Sequence, residues 1–91
     1  MKLTDEKIYE IIDRLNAELN KYHLETAYKS LDEICIDIHW GDWKHDHLRT
    51  KWIVADVFTE LGLADKYTIT EDVTEEDGSD TYSAIHTIRF I

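Results

Sequence analysis

The chain has 91 residues, and its 10 basic and 20 acidic side chains give it a formal net charge of −10 at pH 7. This length accommodates a single hydrophobic core, so we predict one domain over residues 1–91. The charge disfavours nucleic-acid binding, because an acidic surface repels phosphate groups, and no apolar run approaches the ~18 residues of a membrane span. The single cysteine, Cys35, cannot form a disulfide within the chain, which indicates a reducing, cytoplasmic location.

The first predicted element is a helix that starts near Thr4 and Asp5. Both are favourable N-cap residues, and Asp5 also suits the positive end of the helix dipole. Apolar residues then recur at steps of three and four, which predicts a buried stripe of Ile8, Ile11, Ile12, Leu15, Leu19 and Tyr22. Helical spacing continues to residue 31, so residues 23–33 are predicted either to extend this helix or to form a second short one.

Alternating apolar residues replace the helical spacing from Ile34 onwards. They predict a half-buried strand whose apolar side consists of Ile34, Ile36, Ile38 and Trp40. Gly41 and Asp42 end this strand, and Asp42 is a suitable N-cap for a second helix. The predicted buried stripe of that helix consists of Leu48, Trp52, Ala55, Phe58 and Leu61. Gly62 is well placed to terminate it.

Two further alternating segments follow, one around Ile69 and one around Ile88. The Asp77-Gly78 pair between them is a strong β-hairpin signal. The order α-β-α-β-β predicts an α+β fold with two helices packed on one face of a three-stranded, mostly antiparallel sheet. The last segment is apolar on both sides, so we place it between the other two strands. The alternative pairs the first two strands in parallel through a right-handed crossover.

The segment from His39 to Arg49 is the candidate for metal binding. Imidazole nitrogens suit Zn²⁺ and similar divalent ions, so His39, His45 and His47 are the candidate metal ligands. However, residues two apart on a helix point to different sides, which separates His45 from His47. Surface histidines without a metal are therefore the favoured interpretation.

The one basic stretch of this acidic chain, residues 44–51, overlaps the same segment. It lies at the start of a predicted helix, where main-chain N–H groups favour anions. The candidate anion-binding residues are Lys44, His45, His47 and Arg49. An internal partner is the favoured explanation, because the hairpin over residues 71–80 carries six acids. We predict that this acidic hairpin folds against the basic stretch.

The sequence predicts no catalytic residue and no cofactor. Alternation places His86 on the sheet face that the helices cover and Cys35 on the opposite face, which we call the open face. This separation leaves Cys35 without a base in reach, as nucleophilic catalysis would need. The open face is predicted to be polar, with Asp37 or Asp72 pairing with Arg89.

We therefore predict a non-enzymatic, cytoplasmic interaction or regulatory domain that its charge directs toward a basic protein partner. It is expected to be a monomer or a homodimer, with Ile85 and Ile91 as an apolar spot on the open face. Two alternatives stay open. One is a small anion- or metal-binding domain centred on residues 39–49. The other is a winged-helix-like nucleic-acid binder with the basic stretch facing DNA, which the net charge disfavours.

Overall fold

Two helices cover one face of a four-stranded antiparallel sheet in the computed structural model, which describes residues 3–22, 27–39, 43–75 and 82–91. In chain order the elements are α1 (Asp5–Leu19) with a 3-10 turn (Asn20–Tyr22), β1 (Ala27–Ser30), β2 (Glu33–His39), α2 (Trp43–Glu60), β3 (Tyr67–Glu75) and β4 (Tyr82–Phe90). The predicted α+β fold is confirmed. The sheet has four strands instead of the predicted three, and the additional strand is β1.

The strands lie in the order β1-β2-β4-β3, and every neighbouring pair is antiparallel. β4 lies between β2 and β3, with Ile88 opposite Ile34 on one side and opposite Ile69 on the other. This confirms the prediction that the last strand is central. The alternative, a direct parallel pairing of the first two predicted strands, is wrong.

β1 and the start of β2 form a β-hairpin, so the helix predicted over residues 27–33 is wrong. Ala27 is opposite Ile36 and Ser30 is opposite Glu33. The chain turns at Leu31, whose φ of 55° is unusual for a residue other than glycine. Leu31 is also 85% exposed, so the apolar spacing that ends at Leu31 does not mark a buried helix face.

α1 begins where the sequence predicts, because Thr4 caps it. Thr4 has an extended backbone, and its Oγ1 accepts a hydrogen bond from the main-chain N–H of Lys7 at 3.2 Å. Most of the predicted stripe is buried, namely Ile8, Ile11, Ile12, Leu15 and Leu19. Tyr22 belongs to the 3-10 turn, where the period shortens to three residues, and it is 46% exposed.

The buried face of α2 differs from the predicted one. The residues that pack against the sheet and α1 are Thr50, Ile53, Val54, Val57 and Phe58, with Leu61 just beyond the helix. Trp52 and Leu48 of the predicted stripe are 66% and 45% exposed. Successive helix residues are separated by about 100° around the axis, so Trp52 points about 100° away from the buried Ile53 that follows it. Two adjacent pairs four residues apart, Ile53-Val54 and Val57-Phe58, define the true apolar face.

Gly62 ends α2 in a Schellman motif, as the sequence predicts. Its φ is +74°, a left-handed conformation that costs other residues energy because of their Cβ atoms. The N–H of Gly62 donates to the carbonyl of Thr59 at 3.1 Å, and the N–H of Leu63 donates to the carbonyl of Phe58 at 2.7 Å. These bonds satisfy carbonyl groups at the end of the helix.

Gly62→Ala is expected to lower the free energy of unfolding by about 1–2 kcal/mol, the cost of left-handed backbone for a residue with a Cβ. Apart from Gly62 and its two chain neighbours, no heavy atom lies within 4 Å of a Cβ added at Gly62, so the loss is conformational and involves no clash. Gly62→Asn should lose less, because asparagine tolerates this conformation. Urea denaturation of both variants measures the difference. Equal stability of the alanine variant and the parent protein would contradict the motif.

Candidate interaction surface

The segment predicted to bind a metal or an anion spans the end of β2 and the start of α2. His39 is the last residue of β2, and Lys44, His45 and His47 lie in the first turns of α2. Their side chains lie outside the described part of the structure, so the metal-ligand prediction and most of the anion-site prediction stay predictions. Among the described side chains, no group of three His, Cys, Asp or Glu residues is arranged to hold a metal ion.

Two cations of the basic stretch contact other parts of the chain. Lys51 Nζ lies 3.0 Å from Glu71 Oε1 on β3, which brings the basic stretch against the acidic hairpin as the charge pattern predicts. The Arg49 guanidinium lies over the ring of Tyr22, 4.7 Å from its centroid. The hairpin prediction therefore holds for Lys51. The aromatic contact of Arg49 was not predicted from charge.

His86 and Cys35 lie on opposite faces of the sheet, as their positions in the strands predict. His86 is fully buried under the helices, and its Nε2 is 3.9 Å from Glu71 Oε2. Cys35 is a free thiol on the open face, opposite Tyr28 on one side and Thr87 on the other. The sheet therefore separates this thiol from the imidazole.

Polar contacts link neighbouring strands across the open face. Arg89 Nε donates to Glu33 Oε1 at 2.8 Å, and Arg89 Nη1 donates to Thr70 Oγ1 at 3.1 Å. Arg89 pairs with Glu33 instead of the predicted aspartates, because the β2–β4 register continued one residue beyond the Ile34–Ile88 pair sets Glu33 directly opposite Arg89. The hydroxyl of Tyr28 donates to Asp37 Oδ1 at 3.2 Å. Desolvation and the nearby Asp37 carboxylate both raise the pKa of Tyr28 above its usual value.

Apolar side chains are also exposed on the open face. Ile85 of β4 is 42% exposed, and it lies between Asp37 on β2 and Asp72 on β3. Tyr28 is equally exposed at the edge of the same face. The open face thus combines acids and threonines with a few exposed apolar groups.

The two edges of the sheet differ in how their main chain is covered. At the β1 edge, the Asn16 side chain of α1 binds both polar groups of Ala27. Its Oδ1 accepts from the Ala27 N–H at 2.7 Å, and its Nδ2 donates to the Ala27 carbonyl at 3.3 Å. At the β3 edge, no strand or helix of the described residues pairs with the outer side of the strand. β3 is thus an open edge nine residues long.

The sequence contains a signal for the alternation of β3 but none for its position at an edge. The strand order alone decides that position, and it depends on contacts between residues distant in the chain. The exposure of Trp52 is also not evident from the sequence, because a large aromatic residue at helical spacing favours an apolar stripe that contains it. The adjacent pair Ile53-Val54 was the available signal for the correct stripe.

No helix in the described part of the chain is long and apolar enough to cross a membrane. Scans against protein-family models, curated proteins and solved structures give no significant match to this chain.

Proposed function

We propose that this protein is a non-enzymatic interaction domain that binds a basic segment of another protein through its acidic surface. The observation that carries the proposal is that lysine and arginine side chains of the chain are paired with its own carboxylates. Six of the described basic side chains form ion pairs within the molecule: Lys7 with Glu10, Arg14 with Glu60, Lys21 with Glu18, Lys29 with Asp5, Lys51 with Glu71 and Arg89 with Glu33.

These ion pairs leave a surplus of carboxylates, since the chain has 20 acidic and 10 basic residues. Asp13, Asp56 and Asp72 are exposed acids outside the pairs just named. Cations that are held by their own carboxylates contribute little to the field beyond the surface. The surplus acids therefore dominate that field, which attracts basic groups and increases their rate of association.

The open face supplies a surface on which such a partner can dock. This face spans all four strands of the sheet, and exposed tyrosine and isoleucine side chains lie among its acids. Tyrosine is enriched in protein interfaces because one side chain offers both apolar area and a hydrogen-bonding hydroxyl. Acids that attract a basic partner and apolar groups that retain it support an interaction role.

The proposal is tested with two capped synthetic peptides of equal length, one rich in lysine and one in which glutamate replaces every lysine. We expect the lysine peptide to bind with one-to-one stoichiometry, and the glutamate peptide not to bind. Raising the ionic strength should weaken binding, because exposed charges are screened over about 10 Å at 0.1 M salt. Fluorescence anisotropy measures both affinities. Equal binding of the two peptides, or affinity independent of salt, would contradict the proposal.

A further inference from the structure

We propose that the outer edge of β3 binds the basic partner as an added β-strand, extending the sheet to five strands. This inference rests on the proposed function and adds the place and the geometry of binding. In strand addition the main chain of both partners supplies the hydrogen bonds, while side chains on the two faces supply specificity. Strand addition requires an accessible edge, main-chain groups directed away from the sheet and side chains that select one occupant.

β3 is an accessible edge. It pairs with β4 over nine consecutive residues, from Tyr67 opposite Phe90 to Glu75 opposite Tyr82, without a break in register. The strand contains no proline, the residue that most directly blocks pairing at an edge. Native proteins protect long edges with bulges, short strands, covering elements or charged side chains. Along its described length β3 shows only the last of these devices, the side chains of Glu71 and Asp72.

The direction of the main-chain groups follows from one hydrogen bond. The N–H of Ile91 donates to the carbonyl of Lys66 at 3.0 Å, which makes Lys66 and Ile91 a hydrogen-bonded antiparallel pair. Such pairs alternate along a ladder, so Thr68 and Thr70 direct their N–H and C=O groups toward β4. Ile69 and Val73 then direct theirs away from the sheet, where an added strand would lie.

The other edge shows what a protected strand looks like in this protein. Asn16 binds both the N–H and the C=O of Ala27, so β1 offers an incoming strand little main chain to pair with. β1 is also only four residues long, less than half the length of β3. Strand addition is therefore directed to the β3 edge.

Charge selects a basic occupant. Consecutive acids of β3 project from opposite faces: Glu71 lies on the helix side, near Lys51 and His86, and Asp72 lies on the open face beside Ile85. Because Glu71 already pairs with Lys51, Asp72 is the acid that a cation of the partner strand would face. Two consecutive lysine or arginine residues place one cation on the open face in either register. Opposite charges directly across a β-ladder stabilise pairing.

The same acids disfavour a second copy of this chain as the occupant. Antiparallel pairing of two β3 strands about the middle of the strand places Glu71 opposite Glu71, or Asp72 opposite Asp72, depending on the register. Like charges directly opposite each other destabilise a strand pair. The acids therefore protect this edge against self-association while leaving it available to a basic strand.

The test uses a capped peptide of sequence Thr-Val-Lys-Lys-Val-Thr-Val, with a glutamate peptide of otherwise identical sequence as control. Amide hydrogen exchange by NMR is recorded for the full chain with and without the lysine peptide. We expect the amides of Ile69 and Val73 to exchange rapidly in the free protein and to become protected on binding. The amides of Thr68 and Thr70 should be protected in both states, because they bond to β4.

Val73→Pro removes an outward N–H without removing a β3–β4 hydrogen bond, and should weaken peptide binding by roughly tenfold or more. Asp72→Asn should weaken binding more than Asp56→Asn, a matched loss of one exposed charge on α2. Protection of Ile69 and Val73 decides the question even if Val73→Pro fails to fold.

Peptide binding without protection at these amides, or undiminished binding in folded Val73→Pro, would overturn strand addition while leaving the proposed function intact. Failure of every lysine-containing peptide to bind at low salt would instead overturn the proposed function. Protection of the same amides on raising the concentration of the protein alone would identify a second copy as the occupant and overturn the basic-partner assignment.

Discussion

Replacing Phe58 by alanine is expected to lower the free energy of unfolding by about 3–5 kcal/mol. Phe58 is fully buried on α2. Its ring centroid lies 4.3 Å from that of Tyr67 on β3 and 6.1 Å from that of Phe90 on β4. Removing the ring eliminates the free energy gained by burying its apolar area. It also leaves a cavity between α2 and the two strands. Small domains have a total stability of about 5–15 kcal/mol, so this loss is a large part of it.

Trp52→Ala is the matched control, because it also removes an aromatic ring from α2. Trp52 is 66% exposed, so its truncation should change the free energy of unfolding by no more than about 0.5 kcal/mol. Urea denaturation of both variants compares the two faces of the same helix. A loss of several kcal/mol from Trp52→Ala, with little effect of Phe58→Ala, would reverse the orientation of α2 and contradict the fold.

The existence of α2 was predictable from the sequence, but its orientation was not decided by the same pattern. Two apolar stripes are compatible with a helix here, one through Leu48 and Trp52 and one through Ile53-Val54 and Val57-Phe58. Both include Phe58 and Leu61, which is why those residues were predicted correctly. The core buries the stripe with paired apolar residues, because adjacent pairs four apart cover a wider arc of the helix than a single row.

Strand alternation was a stronger signal than helix spacing. The period-two pattern predicted β2, β3 and β4, and the apolar residues on both sides of β4 predicted its central place in the sheet. β1 was missed because only Ala27 of its four residues is buried, so the segment has no repeated apolar side. Its pairing with β2 depends on a turn at Leu31, a residue whose type does not favour positive φ.

The candidate surface was less predictable than the fold, because it depends on which strand is left at the edge. The charge pattern predicted the approach of Lys51 to the acidic hairpin, since opposite charges concentrated in two segments attract each other. It could not predict that β3, which carries Glu71 and Asp72, would lie at the open edge. The strand order places main-chain groups and acids together at one edge, and the proposed binding mode depends on both.

Asn16→Ala is expected to lower the free energy of unfolding by about 1–3 kcal/mol, the cost of leaving buried polar groups without their hydrogen bonds. Asn16 accepts from the N–H of Ala27 at 2.7 Å and donates to its carbonyl at 3.3 Å. Ala27 is 2% exposed, so water does not easily replace either bond. Asn16→Asp retains an acceptor for the N–H but offers no donor to the carbonyl, and a partial loss is expected.

Hydrogen exchange separates this effect from a general loss of stability. β1 is a short edge strand, so we expect Asn16→Ala to open it locally and to accelerate exchange of the Ala27 amide. The amide of Ile88, in the centre of the sheet, should be accelerated only as far as the global free energy of unfolding falls. Acceleration of both amides by the same factor would mean that Asn16 supports the whole fold without a specific role at the edge. An unchanged Ala27 amide would contradict the predicted protection of β1, and with it the contrast between the two edges of the sheet.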